Sequence, residues 1–211
     1  MTKLPTLVFD LDGTLVDSSP DIIASFQATL KAYGYPEPPA QEVKALIGRP
    51  LREMYAVYAE EQHIDSLVFA YREHYPQHFV DNSSLFPSVL ETLEALRSRG
   101  FACVVATTKE SSIARLFCDA LGLSPLLNHI QGTDDFPAKP APHVIFKGLE
   151  AIKGQGLWMV GDTIHDIEAG KAAGLKTYAV SWGTHDAAML AQAKPTALSD
   201  DLSALPGLLK S

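Results

Sequence analysis

Two pairs of aspartates stand where apolar runs give way to turns. Phe9-Asp10-Leu11-Asp12-Gly13-Thr14-Leu15 closes the first apolar run, and the period of two of an extended chain sends Asp10 and Asp12 to one side while Leu11 points away. Gly13 then permits a sharp exit from the strand. A polar turn capping the next helix would account for one aspartate there, but not for two flanked by apolar residues. The second pair lies in Val160-Gly161-Asp162-Thr163-Ile164-His165-Asp166, where a spacing of i to i+4 brings both carboxylates to one region of a loop entering a helix. Taken alone, Asp162 reads equally well as a helix N-cap. Four acids near adjacent strand ends repel one another, and a divalent cation is the natural compensation. An all-oxygen, largely hydrated site points to Mg2+. Hydroxyl and backbone donors come from Thr107-Thr108-Lys109 after another apolar run, and one ammonium from Lys139 in a loop stiffened by Pro137, Pro140 and Pro142. A phosphate placed there would find hydroxyl and backbone donors, an ammonium and a metal.

Strands must present these residues at one edge. Short apolar runs rich in β-branched and aromatic residues predict strands at 6–9, 101–107, 126–130, 157–160 and 177–182. Helical periodicity predicts helices over 88–99, 111–121, 142–152 and 166–173, with Gly100, Gly122 and Gly174 at three of their ends. Strands alternating with helices give an α/β fold with a mainly parallel sheet, whose ligands gather at the carboxyl ends of the strands. Residues 16–82 break the alternation. They show no convincing strand, but helical segments over 20–32, 39–46, 51–62 and 66–79, with a stiff bend at Tyr35-Pro36-Glu37-Pro38-Pro39. The expected organisation is a catalytic core of residues 1–15 and 83–211 with an all-helical insert over 16–82.

Composition narrows the classes. The 211 residues carry 17 Lys and Arg against 25 Asp and Glu, a net charge of −8, with no basic run to meet a phosphate backbone or an anionic membrane. No apolar stretch approaches the roughly 20 residues of a membrane span, and Asp10 and Asp12 cut the N-terminal run too early for a signal peptide. Cys103 and Cys118 fall in a strand-like and a helical pattern without metal-ligand spacing, and are expected to be reduced core thiols of a cytoplasmic protein.

Asp10-Leu11-Asp12-Gly13-Thr14-Leu15-Val16-Asp17-Ser18, Thr107, Lys139-Pro140 and Gly161-Asp162 with Asp166 resemble, in order and spacing, the four motifs of the haloacid dehalogenase superfamily. The helical insert resembles the cap of its phosphoglycolate phosphatase-like subfamily, and Leu85-Phe86-Pro87-Ser88-Val89 the segment re-entering the core. The resemblance implies a Rossmann-like core with an inserted helical cap, and hydrolysis of a small phosphorylated metabolite. It implies that Asp10 attacks phosphorus to form an aspartyl-phosphate while Asp12 serves as acid and then base. It further implies Mg2+ held by Asp10, the Asp12 main-chain carbonyl and Asp162, phosphoryl binding by Thr107, Thr108 and Lys139, and Asp166 orienting Lys139 or a metal-bound water.

The same residues separate relatives. Dehalogenases lack the second acid and phosphonate-cleaving members replace it with a small residue, so Asp12 speaks against both. Related mutases carry a cap histidine where this chain has Ile22. An inorganic pyrophosphatase or nucleotide phosphatase would share all four motifs, whereas an idle phosphate-binding protein would not need Asp10, Asp12, Lys139 and Asp162 intact. Departures from the commonest pattern are Thr108 for Asn, Ser88 for Gly, and Thr184 for an aromatic. Ile47-Gly48-Arg49-Pro50-Leu51-Arg52 makes a tight loop in the cap, where Arg49 or Arg52 would suit a carboxylate or second phosphate on the leaving group, or else be solvated. The seven histidines form no ligand set and read mostly as surface or satisfied residues; His165, between two motif acids, is the one placed where it could hydrogen-bond one of them. The expected assembly is a monomer or homodimer, without nucleic acid or membrane as partner.

Overall fold

The computed structural model describes residues 3–209. A six-stranded sheet is built from β1 (Leu4–Phe9), β4 (Ala102–Ala106), β5 (His129–Gln131), β6 (Gly154–Gly161), β7 (Lys176–Val180) and β8 (Ala197–Ser199). The spatial order is β5-β4-β1-β6-β7-β8, and every neighbouring pair is parallel. β1 is central. Its last four residues are fully buried because helices cover both faces of a parallel sheet, so it reads as a continuous apolar run and not as an alternating one. Leu7, Phe9 and Leu11 pack with Val89, Leu93 and Leu96 of α5 (Val89–Ser98) and with Phe117 and Cys118 of α6 (Ser111–Ala120). Val8 faces the other way, against Val144 and Ile145 of α7 (His143–Ala151) and Ala169 of α8 (Ile164–Ala172). This alternation is what turns Asp10 and Asp12 to the side opposite Leu11.

Between β1 and α5 the chain leaves the sheet. It forms β2 (Val16–Asp17), four helices α1 (Ser19–Ala32), α2 (Ala40–Lys44), α3 (Leu51–Tyr55) and α4 (Glu61–His74), and returns through β3 (Ser84–Leu85). Ile22, Phe26 and Leu30 of α1 and Ile64, Leu67 and Tyr71 of α4 repeat at helical spacing and close a hydrophobic cluster of their own. β2 and β3 pair antiparallel, so the outgoing and returning chains are tied side by side. Asp21, buried at the start of α1, strengthens the tie by accepting from the Asn82 and Ser83 N–H groups and from both their side chains at 2.7–3.0 Å. Burial works against its charge, but these donors outweigh it and hold the carboxyl below its ordinary range.

The structure corrects several expected elements. Residues 16–82 do contain a strand, β2, too short at two residues for any periodicity to reveal. The strand expected over 126–130 begins at His129. Pro125 sits in the first turn of a 3-10 helix over Ser124–Leu126, and Asn128 uses its N–H and side chain to cap Cys103 first. The helix expected over 51–62 ends at Tyr55, whose buried ring stacks on Phe26 with centroids 4.3 Å apart. α4 restarts at Glu61 and ends before Pro76, which cannot continue the ladder. β8 and α9 (Ala187–Gln192) were not anticipated. Ser88 occupies a left-handed conformation with φ of 64°, a position that favours the glycine frequent in the resembling subfamily. Cys103 and Cys118 are free and buried, and burial raises both thiols to about 12, so neither is a nucleophile at neutral pH. Among the described residues no helix is long and apolar enough to cross a membrane.

Candidate active site

Because β1, β4 and β6 are adjacent and parallel, the residues after their last positions meet at one edge. Asp10 follows β1, its N–H donating to the Val160 carbonyl of β6 at 2.8 Å. Asp10 is 3 % exposed, and its Oδ1 forms an ion pair with Lys139 Nζ at 2.8 Å. Burial, Asp166 and Asp162 push the Asp10 carboxyl well above its ordinary range, and Lys139 only partly offsets them. Lys139 is itself 5 % exposed. Its ammonium donates to Asp166 Oδ1 at 2.6 Å and to the Ala106 carbonyl at 3.2 Å. Burial alone would lower its pKa, yet Asp10 and Asp166 raise it, so Lys139 remains a cation.

Asp162 is fully buried between two glycines. A Cβ on Gly13, which turns at φ of +83°, or on Gly183 would overlap its carboxylate. Oδ1 accepts from Thr14 Oγ1 at 2.7 Å and Oδ2 from the Thr184 N–H at 2.7 Å, so the unusual Thr184 serves through its backbone. Burial and Asp166 raise the Asp162 carboxyl to about 6 against these bonds. The N-cap of α8 is Thr163 and not Asp162, which leaves Asp162 free of that duty. Asp166 closes the capping box, its Oδ2 accepting from Thr163 N–H and Oγ1.

Oxygen atoms of Asp10, Asp162 and Asp166 lie within 4.8 Å of one another. Both Asp166 oxygens are engaged, one by Lys139 and one by Thr163. Asp166 Oδ2 accepts two hydrogen bonds, whereas each Asp162 oxygen accepts one and Asp10 Oδ1 none, so Asp10 and Asp162 keep more lone pairs free for a cation. An oxygen-only set carrying excess buried negative charge fits a hard divalent cation such as Mg2+.

Asp12 Oδ1 accepts from Ser18 Oγ at 2.6 Å, and its Oδ2 lies 3.2 Å from Lys109 Nζ. Thr107 is buried, with Oγ1 accepting from the Lys109 N–H at 3.2 Å, which leaves its own proton for a ligand. Thr108, Arg49 and Arg52 line a neighbouring chamber between the helical segment and the sheet edge, together with Asp12 and Lys109. The loop carrying Arg49 reaches the core: a Cβ on Gly48 would stand 3.3 Å from Thr163 Cγ2. Arg52 is paired with Glu61 and Asp65. His165 makes no hydrogen bond to its flanking acids; its Nδ1 is buried without a partner, while His185 Nδ1 accepts from the Ile164 N–H at 3.0 Å.

Lys109 and Ser18 were not singled out in the sequence, although both stand inside quoted motifs. Lys109 donates to Tyr75 OH at 3.1 Å and lies over the Tyr75 and Phe117 rings, which joins the helical segment to Asp12. A lysine two residues beyond a strand-end threonine was the available signal.

The family model described as haloacid dehalogenase-like hydrolase matches residues 7–180. A phosphoglycolate phosphatase of Aquifex aeolicus is 37 % identical over 180 residues, 84 % of each chain. A pyrophosphatase PpaX of Bacillus cereus is 31 % identical over 212 residues, 99 % of this chain and 98 % of that one. A haloacid dehalogenase-like family hydrolase from Streptococcus pneumoniae superimposes with a TM-score of 0.89 at 28 % identity, covering all of both chains.

Proposed function

The chain belongs to the haloacid dehalogenase-like hydrolases and is a phosphatase, and from that premise we propose that it hydrolyses a small phosphorylated metabolite with Mg2+ through an aspartyl-phosphate on Asp10, as a phosphoglycolate phosphatase-like enzyme. The observation that carries this reading is the convergence of Asp10, Asp162, Asp166 and Lys139 in one buried cluster at the sheet edge. Residues 1–15 and 83–211 form the catalytic core in this reading, and 16–82 the cap.

In the first step an Asp10 oxygen bonds to phosphorus, the bond from phosphorus to the alcohol oxygen breaks, and Asp12 gives its proton to that oxygen. In the second, Asp12 takes a proton from water as the water oxygen bonds to phosphorus. The bond to Asp10 then breaks and phosphate is released. Ser18 and Lys109 hold the Asp12 carboxylate in place from two sides. The Thr107 hydroxyl and the Lys139 ammonium donate to the phosphoryl oxygens, and Asp166 fixes the direction of Lys139. When bound by Asp10, the Asp12 main-chain carbonyl and Asp162, Mg2+ supplies charge that lets an anionic nucleophile approach an anionic phosphoryl group.

The likeness to PpaX supports a second reading, in which the same residues cleave the phosphoanhydride of pyrophosphate. Turnover of p-nitrophenyl phosphate tests the shared chemistry. Protein stripped with a chelator should be inactive and should regain activity with Mg2+; full turnover in the chelator would contradict the metal assignment.

A further inference from the structure

The chamber beside Asp12 says what kind of leaving group the site accommodates, on the premise that the chain is the phosphatase proposed above. Asp10, Thr107 and Lys139 do not line it, whereas Asp12 and Thr108 do, so it begins where the phosphoryl site ends. Its volume is about 300 Å³, room for about ten waters at their share of liquid volume. Glycolate, with five non-hydrogen atoms, or a phosphate would leave most of that space wet.

Its walls are largely apolar. Ile47, Leu51, Met54, Tyr71, Ile113 and Phe136 are among its lining residues. Ile22 and Val68 add to the apolar lining. A multiply charged, strongly hydrated leaving group such as phosphate would lose water to such walls without replacement. The cations around the chamber are mostly spent. Lys109 lies 3.2 Å from Asp12 and Arg72 lies 3.1 Å from Glu110, while Arg52 is held by Glu61 and Asp65. Among the described residues Arg49 is the lining cation that makes no ion pair. The carboxylate of Asp134, occupied by Ser111 N–H and Oγ but by no cation, adds repulsion against a second negative charge. One free positive charge on an apolar chamber matches one anionic group on an apolar body.

We infer that the preferred substrate is the phosphate ester of a hydroxy acid with a hydrocarbon or aromatic body, its carboxylate met by Arg49, in place of phosphoglycolate or pyrophosphate. The test is a matched series of primary-alcohol esters assayed with Mg2+: 3-phosphooxypropanoate, its 2-phenyl derivative and 2-phenylethyl phosphate, beside phosphoglycolate and pyrophosphate. The phenyl-bearing acid should exceed phosphoglycolate, pyrophosphate and 3-phosphooxypropanoate in kcat/KM by at least about tenfold. It should also exceed 2-phenylethyl phosphate by about ten- to a hundredfold, the worth of a charge-assisted hydrogen bond, and Arg49→Ala should collapse that second ratio toward one. If phosphoglycolate or pyrophosphate is the best substrate while p-nitrophenyl phosphate is turned over, the inference is wrong and the phosphatase reading stands. If Arg49→Ala leaves the ratio intact, the anionic subsite is wrongly assigned. If no ester is hydrolysed, p-nitrophenyl phosphate included, the phosphatase reading and this inference fall together.

Discussion

Asp10→Asn is expected to lower kcat by at least about a thousandfold while leaving the melting temperature unchanged or higher. The activity falls because an amide is neither a nucleophile toward phosphorus nor a good ligand for a hard cation. Stability does not fall, because the native carboxylate is in an unfavourable place. Burial and the neighbouring Asp166 and Asp162 penalise its charge, and its Oδ1 lacks a hydrogen bond. A neutral isostere relieves that penalty, which is the pattern of a group kept for chemistry at a cost in stability. Thermal unfolding without metal, beside steady-state kinetics with Mg2+, separates the two effects. A folded variant with near wild-type turnover would remove Asp10 from the nucleophile's role.

Lys139→Met should move both quantities downward. The ammonium is the buried cation between Asp10 and Asp166, at 2.8 and 2.6 Å. Removing one partner of such a cluster leaves buried carboxylates uncompensated, at about 3–5 kcal/mol in comparable cases. The loss of a charged donor to the phosphoryl group should cost about a hundred- to a thousandfold in kcat. Lys139→Arg keeps the charge but not the compact ammonium, and should recover stability better than activity. Unchanged kinetics in the folded Lys139→Met protein would mean that the ammonium holds Asp166 and nothing more.

Both of these residues were legible in the sequence, whereas other parts of the site and fold were not. The ends of β1, β4 and β6 were legible because each is an apolar run that stops at a polar residue, and parallel topology then brings their carboxyl ends together. The break between α3 and α4 was not, since the stretch keeps helical composition and is interrupted by tertiary contacts: Tyr55 stacks on Phe26, and Tyr35 OH accepts from the Glu60 N–H at 3.1 Å. Asp21 stands in the first turn of α1, where an acid carries no further local signal. Its partners, Asn82 and Ser83, are 61 and 62 residues away, and only the fold brings them together. Lys109 was hidden for a related reason, because its significance depends on Tyr75 and Asp12, which reach it from different parts of the chain. Local pattern therefore marked the buried cluster at the strand ends more fully than the chamber beside it, which is lined by residues of both the helical segment and the sheet edge.

The central claim is that the phosphoryl group passes through Asp10, and trapping it there is the most direct measurement. Asp12→Asn keeps the nucleophile and removes the group that should activate water. Mixed with p-nitrophenyl phosphate and Mg2+, this variant should release a burst of nitrophenol of about one equivalent, because this leaving group needs little protonation. After acid quench and proteolysis, mass spectrometry should then find one phosphate on the peptide carrying Asp10. A burst with the phosphate on another residue, or steady hydrolysis at the wild-type rate with no phosphopeptide, would contradict the account.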